Sequence, residues 1–233
     1  MKKRQALGQH FLKSQIIAKK IADFANITKK DVVLEIGTGK GILTPSLCDK
    51  ALKVISYETD KTLFKNLEKE FAKIPNLELR HGDGFKSTDK FSIFVSNLPY
   101  SRSRDAIECL ATKNFRRGVI MVQKEFFQKL FTDSKKERRA VSVIARHTFD
   151  IKSLISVSKE NFLPPPKVNS VLLRVVPKRT LTRPVIKTVN RLFSYRRKTL
   201  QNVLKQFGIK SKSTKRLEEL SDDEIVEIAK KIV

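Results

Sequence analysis

The sequence predicts an α/β fold, with a mostly parallel sheet, an antiparallel strand at its edge and a small helical domain at the C-terminal end. Three observations carry this expectation. Between residues 30 and 124, short β-rich runs alternate with segments long enough for helices, the pattern of βαβ units whose strands pair in parallel. Two further runs, 151–157 and 170–176, lie too close for a crossover helix, so they should pair antiparallel. After Pro177 the apolar residues recur at helical spacing. The expected division is residues 1–177 for the α/β domain and 178–233 for the helical one.

The elements follow in order. Val32-Val33-Leu34-Glu35-Ile36 is a strand that ends at glycines, and the runs at 53–58, 77–80, 91–96 and 118–122 repeat its character. Between the second and third, Leu63, Phe64, Leu67 and Phe71 share one helical face. The closing strands flank a turn rich in proline, Leu163-Pro164-Pro165-Pro166. Val185, Val189, Leu192 and Phe193, then Leu200, Val203 and Leu204, mark the next helices. The last opens on Ser221-Asp222-Asp223-Glu224, a capping box ahead of an apolar face of Ile225, Ile228, Ala229 and Ile232.

Charge narrows the partners. The chain holds 49 Lys+Arg against 24 Asp+Glu, a net +25. Such an excess repels itself unless a polyanion neutralises it, and nucleic acid and membrane surfaces are the usual ones. No apolar run approaches the ~20 residues that span a bilayer, and the basic Met1-Lys2-Lys3-Arg4 leads into polar residues rather than a signal-peptide core. Between residues 178 and 216 there are 13 Lys/Arg and no Asp or Glu, densest at Arg196-Arg197-Lys198 beside Tyr195 on a predicted helix. Solubility normally mixes signs, so an acid-free run favours phosphate contacts over a solvated face. Cys48 and Cys109 form no CxxC, and His10, His81 and His147 have no metal-site spacing. No metal is expected, and a reducing, cytoplasmic setting is.

Glu35-Ile36-Gly37-Thr38-Gly39-Lys40-Gly41 places glycines at a strand-to-helix turn, where backbone amides can approach a ligand at the carboxyl end of the sheet. The spacing is GxGxG, neither GxGxxG nor the phosphate loop. Glu58, 23 residues after Glu35 at the end of the second strand, offers two acceptor oxygens to vicinal ribose hydroxyls. Asp83, after the third strand, could accept a hydrogen bond from an adenine amino group. Alone, each would pass for a tight turn or a surface carboxylate; at the ends of strands one, two and three they point to a nucleoside ligand.

Asn97-Leu98-Pro99-Tyr100 follows the fourth strand, at the same sheet edge. The exocyclic amine of adenine is a weak nucleophile because its lone pair is delocalised into the ring. Acceptors for its hydrogens, here the Asn97 side-chain oxygen and the Leu98 carbonyl, would localise that lone pair. Pro99 biases Leu98 towards extended backbone. Tyr100 offers a flat face to an extruded base.

On these motifs the sequence resembles the ribosomal RNA adenine N6,N6-dimethyltransferase family of the small subunit, with an archaeal-type character. The similarity runs almost end to end: Gly8-Gln9-His10-Phe11-Leu12, the Glu35–Gly41 turn, Asn97-Leu98-Pro99-Tyr100, Gln123-Lys124-Glu125, the segment from Phe162-Leu163-Pro164-Pro165-Pro166 to Ser170, and Arg196-Arg197-Lys198-Thr199-Leu200. The resemblance implies a Rossmann-like methyltransferase sheet, S-adenosylmethionine as methyl donor, and two adjacent adenines near the 3′ end of small-subunit rRNA as target. It implies a monomer acting on immature small ribosomal subunits, with no membrane partner. His10 and Leu12 would line the methionine side of the cofactor, and Gly37 and Gly39 would approach it. Glu58 would take the ribose, Asp83 the adenine and Asn97 the site of transfer. Phe162 would stack on the target base opposite Tyr100, unless it is a core aromatic, and Arg196, Arg197 and Lys198 would contact RNA.

Two departures stand out. Ser101-Arg102-Ser103 replaces the family's usual amide and apolar residues after the tyrosine, so Arg102 becomes a candidate RNA-phosphate contact, and His10 stands where many members have asparagine. Competing readings are a large-subunit rRNA enzyme of the macrolide-resistance type, an assembly factor with secondary catalysis, and a nicotinamide oxidoreductase. The last is disfavoured by the glycine spacing and the basic tail.

Overall fold

The computed structural model describes residues 10–132, 134 and 137–233; Gly8 and Gln9 of the first motif lie outside them. A short strand β1 (Phe11–Leu12) is followed by β2 (Val32–Ile36), β3 (Lys53–Glu58), β4 (Leu77–His81), β5 (Ile93–Ser96), β6 (Arg117–Gln123), β7 (Phe149–Val157), β8 (Phe162–Leu163) and β9 (Ser170–Pro177). Seven of them form one sheet in the order β4-β3-β2-β5-β6-β9-β7, and β1 pairs antiparallel with β8. The first five in that order are parallel neighbours, and β9 runs antiparallel to β6.

The two closing strands thus stand together at one edge of the sheet, as expected, with β9 inside and β7 outermost. Burial explains the order. Val171, Leu172, Leu173 and Val175 of β9 are all buried, as an inner strand requires, whereas β7 alternates with exposed Asp150, Lys152 and Ser156 and suits the edge.

Strand order reverses between β2 and β5. That is the switch point at whose carboxyl side open α/β sheets bind ligands. Register places Glu35 of β2 opposite Val95 of β5, so the glycine turn and the Asn97 segment leave the sheet side by side. Helix α1 (Gln15–Ala25) is capped by Ser14 and ends at Asn26. Its Ile21, Ala22 and Ala25 share the core with Val33, Val95 and Met121. Between strands come α2 (Thr44–Cys48) and α3 (Lys61–Glu70), the latter capped by Asp60.

The chain divides into two units. The first holds the described residues up to Ala106 with Asn114–Lys124 and Ile151–Val176; the second holds Ile107–Lys113, the described residues of Glu125–Asp150, and Pro177–Val233. Its helices are α5 (Lys124–Leu130), which follows the boundary-spanning α4 (Ser103–Leu110), then α6 (Ala140–Thr148), α7 (Arg183–Ser194), α8 (Leu200–Lys205) and α9 (Asp222–Ile232). The second unit thus takes in more than residues 178–233.

Charge pairing accounts for that. The first turn of α9 carries Asp222, Asp223 and Glu224, well placed at a helix N-terminus, behind the Ser221 capping box. Arg138 and Arg146 both pair with Asp222, the latter at 2.8 Å, while His147 and Arg179 meet Asp223 at 2.6 and 3.0 Å. Around this network α6, α7 and α9 pack together, burying Val143, Ile144, Val189, Leu192, Ile225 and Val226.

Candidate active site

The glycine turn is held by its neighbours on β3. Gly37 donates its N–H to the Tyr57 carbonyl (2.8 Å), and Gly39 donates to Glu58 Oε2 (2.8 Å). Gly39 adopts φ +61°, and a Cβ there would stand 3.3 Å from the Phe11 ring, so glycine serves both backbone and space. Beneath the turn, Glu35 Oε2 accepts hydrogen bonds from the hydroxyls of Thr44 (2.8 Å) and Ser56 (2.6 Å). Burial pushes the Glu35 carboxyl up to about 7, against the pull of the Ser56 and Thr44 hydroxyls.

That shift has a sign. In the unfolded chain Glu35 ionises near 4.5. Between there and about 7, folding takes up a proton, so stability falls as pH rises through this window and is level above it. Glu35→Gln keeps an acceptor for the two hydroxyls but has no proton to lose. Relative to wild type it is expected to gain on the order of 3 kcal/mol on going from pH 5 to pH 8 in urea unfolding. An equal stability difference at both pH values would contradict the burial argument.

Glu58 is 4% exposed at the end of β3. Its oxygens each accept one backbone N–H, Oε2 from Gly39 and Oε1 from Asp60, both at 2.8 Å. Each keeps a second lone pair. Asp83 follows β4, just beyond the His81 that pairs with Glu58. It caps the short helical turn Gly84–Lys86, accepting the Phe85 N–H at 3.1 Å, and pairs with Arg102 at 3.2 Å.

Asn97, half-buried, leaves β5 directly after Ser96, whose hydroxyl donates to the Ile36 carbonyl and ties the strand end to β2. Leu98 is buried and lies 3.6 Å from where a Gly37 Cβ would be, so its side chain seats the segment against the glycine turn. Pro99 has φ −52° and ψ 134°, its φ set by the ring. Tyr100 shares a 2.7 Å hydrogen bond with Ser170, the last residue of the proline motif, and burial raises its phenol above the ordinary value. His10 stacks on Tyr100 with ring centroids 5.5 Å apart, and its Nδ1 donates to the Pro164 carbonyl at 2.8 Å.

One cavity gathers most of the expected cofactor residues: His10, Leu12, Gly37, Gly39, Glu58 and Asn97 all line it. Phe11, Lys40, Thr59 and Pro99 line it too, and the sequence offered no signal for them beyond adjacency to those motifs. Asp83, Leu98 and Tyr100 are not among its lining residues.

Two expectations need correction. Phe162 is 1% exposed, its strand β8 paired with β1 and its ring in the hydrophobic core beside Leu12; it presents no face to a base. Arg196, Arg197 and Lys198 lie in the turn after α7 rather than on a helix. There Arg197 and Lys198 are exposed, Lys198 Nζ sits 5.3 Å over the Tyr195 ring, and half-buried Arg196 donates to the Arg138 carbonyl (3.3 Å). Arg102, left open between an RNA-phosphate contact and an altered substrate fit, pairs with Asp83 and Asp105. Among the described residues, no cluster of His, Cys, Asp or Glu could hold a metal ion, and no helix is long and apolar enough to cross a membrane.

Comparison with known proteins bears on this geometry. The model of the ribosomal RNA adenine dimethylase family matches residues 1–231. The ribosomal RNA small subunit methyltransferase A of Thermotoga neapolitana is 36% identical over 235 residues, covering 97% of this chain and 90% of its own. Among solved structures, a dimethyladenosine transferase from Plasmodium falciparum aligns with TM-score 0.76 and 25% identity, over 94% of this chain and 96% of its own. The 23S rRNA methyltransferase ErmE aligns with TM-score 0.66 over 95% and 99% of the two chains; at 21% identity this is a likeness of fold.

Proposed function

Since this chain belongs to the ribosomal RNA adenine dimethylase family and is an rRNA adenine dimethyltransferase, we propose that it methylates the N6 amines of two adjacent adenines near the 3′ end of small-subunit rRNA. S-adenosylmethionine is the donor and the immature small subunit the substrate, met by a monomer in the cytoplasm. The observation that carries this reading is the convergence of Glu58, the glycine turn and Asn97 on one cavity at the sheet's switch point.

The residues present fit the cofactor. Glu58 faces the cavity with a lone pair left on each oxygen, suited to a ribose diol. Gly37 and Gly39 leave room for close approach. His10 and Leu12 line the same cavity and suit the methionine end. When bound, S-adenosylmethionine supplies a methyl group on a sulfonium, which needs no activation.

The work left to the protein is at the amine. The Asn97 oxygen and the Leu98 carbonyl accept its hydrogens and localise its lone pair, while tight positioning brings nitrogen and methyl into line. No strong base is needed, because the proton becomes acidic once the fourth bond to nitrogen forms. Tyr100, held at its hydroxyl by Ser170, provides the face on which an extruded adenine stacks, a contact of roughly 1–3 kcal/mol. Labelled methyl from S-adenosylmethionine is expected to enter the rRNA of unmethylated small subunits; no incorporation would overturn the proposal.

The second unit supplies phosphate contacts. The acid-free stretch centred on Arg197 and Lys198 suits an RNA backbone recognised by shape rather than by sequence. Replacing Arg196, Arg197 and Lys198 together by glutamine is expected to weaken rRNA binding and flatten its log–log salt dependence by about 2. An unchanged salt slope would remove this turn from the RNA interface.

A further inference from the structure

Arg102, two residues after Tyr100, sits in specific surroundings. Its Nη2 lies 3.2 Å from Asp83 Oδ2 and 3.4 Å from Oδ1. Its Nε donates to Asp105 Oδ2 at 2.6 Å, one turn on at the start of α4. Its guanidinium carbon sits 4.8 Å over the centre of the Phe85 ring. Two carboxylates and an aromatic face thus clamp one side chain that is 36% exposed. Desolvation pulls the guanidinium's affinity for its proton down, but Asp83 and Asp105 outweigh it and leave it raised.

The consequence falls on Asp83. Its Oδ1 is held by the Phe85 N–H, and its Oδ2 by Arg102. Contacts at both oxygens fix the rotation of the carboxylate, so the remaining lone pairs have one direction instead of many. A carboxylate so fixed is a directed acceptor: it suits a purine with a 6-amino donor and repels one with a 6-oxo group. Lysine could not replace the clamp, since a single ammonium has no fork to span two carboxylates and no plane to lie on Phe85.

We infer that Arg102 is a specificity-determining positioning residue, which orients Asp83 to select the 6-amino group of the cofactor's purine. This rests on the reading of Asp83 as the adenine contact, a reading the test separates from the inference itself.

The test is calorimetric binding of S-adenosylhomocysteine and its 6-oxo counterpart, S-inosylhomocysteine, to the full chain. Wild type is expected to prefer the adenosyl compound by about tenfold or more, the worth of one well-oriented hydrogen bond. Arg102→Met is expected to weaken the adenosyl compound about tenfold and the inosyl compound little, so that the preference collapses. Arg102→Lys, which keeps the charge and guards against a folding failure of the methionine variant, is expected to lose part of the preference. No preference in wild type would sink the Asp83 reading and the inference with it. A preserved ratio in either variant, even with both compounds weakened, would overturn the role of Arg102 alone.

Discussion

Replacing Asn97 with alanine is expected to slow methyl transfer by about 10²–10³-fold in single turnover, while rRNA binding stays within a few fold of wild type. The size follows from what is removed, a preorganised hydrogen-bond partner that acts as the reacting nitrogen changes geometry. The selectivity follows from position. Asn97 lines the cavity one residue beyond β5, and Ser96 ties that strand end to β2, so truncating the next side chain leaves the frame in place. Asn97→Asp keeps an acceptor oxygen and should retain more activity than alanine. Full transfer by Asn97→Ala would exclude this residue from activating the amine.

Glu58→Gln is expected to raise the dissociation constant for S-adenosylhomocysteine roughly 100-fold, with rRNA binding unchanged. Hydrogen bonds to a charged acceptor are worth about 1.5–3 kcal/mol each, and a ribose diol makes two. The amide adds a further cost. Both Glu58 oxygens already accept backbone N–H groups, from Gly39 and Asp60, so the new NH₂ must face one donor or the other. Because the Gly39 contact also braces the glycine turn, part of the loss should appear as a looser turn, seen in faster hydrogen exchange at Gly39. A change in affinity below about threefold would mean that the ribose is held elsewhere.

The parts of the site that the sequence revealed are those at strand ends. Glu58 closes an apolar run and Asn97 directly follows one, and a run's end in a parallel sheet is a statement about place as well as residue type. The capping box at Ser221 was legible for the same reason, being contained within four residues. What escaped was long-range. Phe162 looked available beside its prolines, but the two-residue pairing of β8 with β1 joins positions 11 and 163, and no local pattern announces it. Arg138 and Asp222 are 84 residues apart, so the attachment of α6 to the second unit rests on a charge pairing that composition averages away. The order of β9 and β7 turned on which strand is apolar on both faces. Arg196-Arg197-Lys198 extended a helical spacing that stops at Tyr195, because residues 196–199 carry no apolar side chain to hold a helix against a core until Leu200 opens α8.

The most direct measurement is nucleoside-resolved mass spectrometry of rRNA after the chain has acted, with S-adenosylmethionine, on unmethylated small and large ribosomal subunits. The expected result is N6,N6-dimethyladenosine at two adjacent positions near the 3′ end of small-subunit rRNA, abolished by Asn97→Ala. Methyl groups found only on large-subunit rRNA, or on nucleosides other than adenosine, would contradict it.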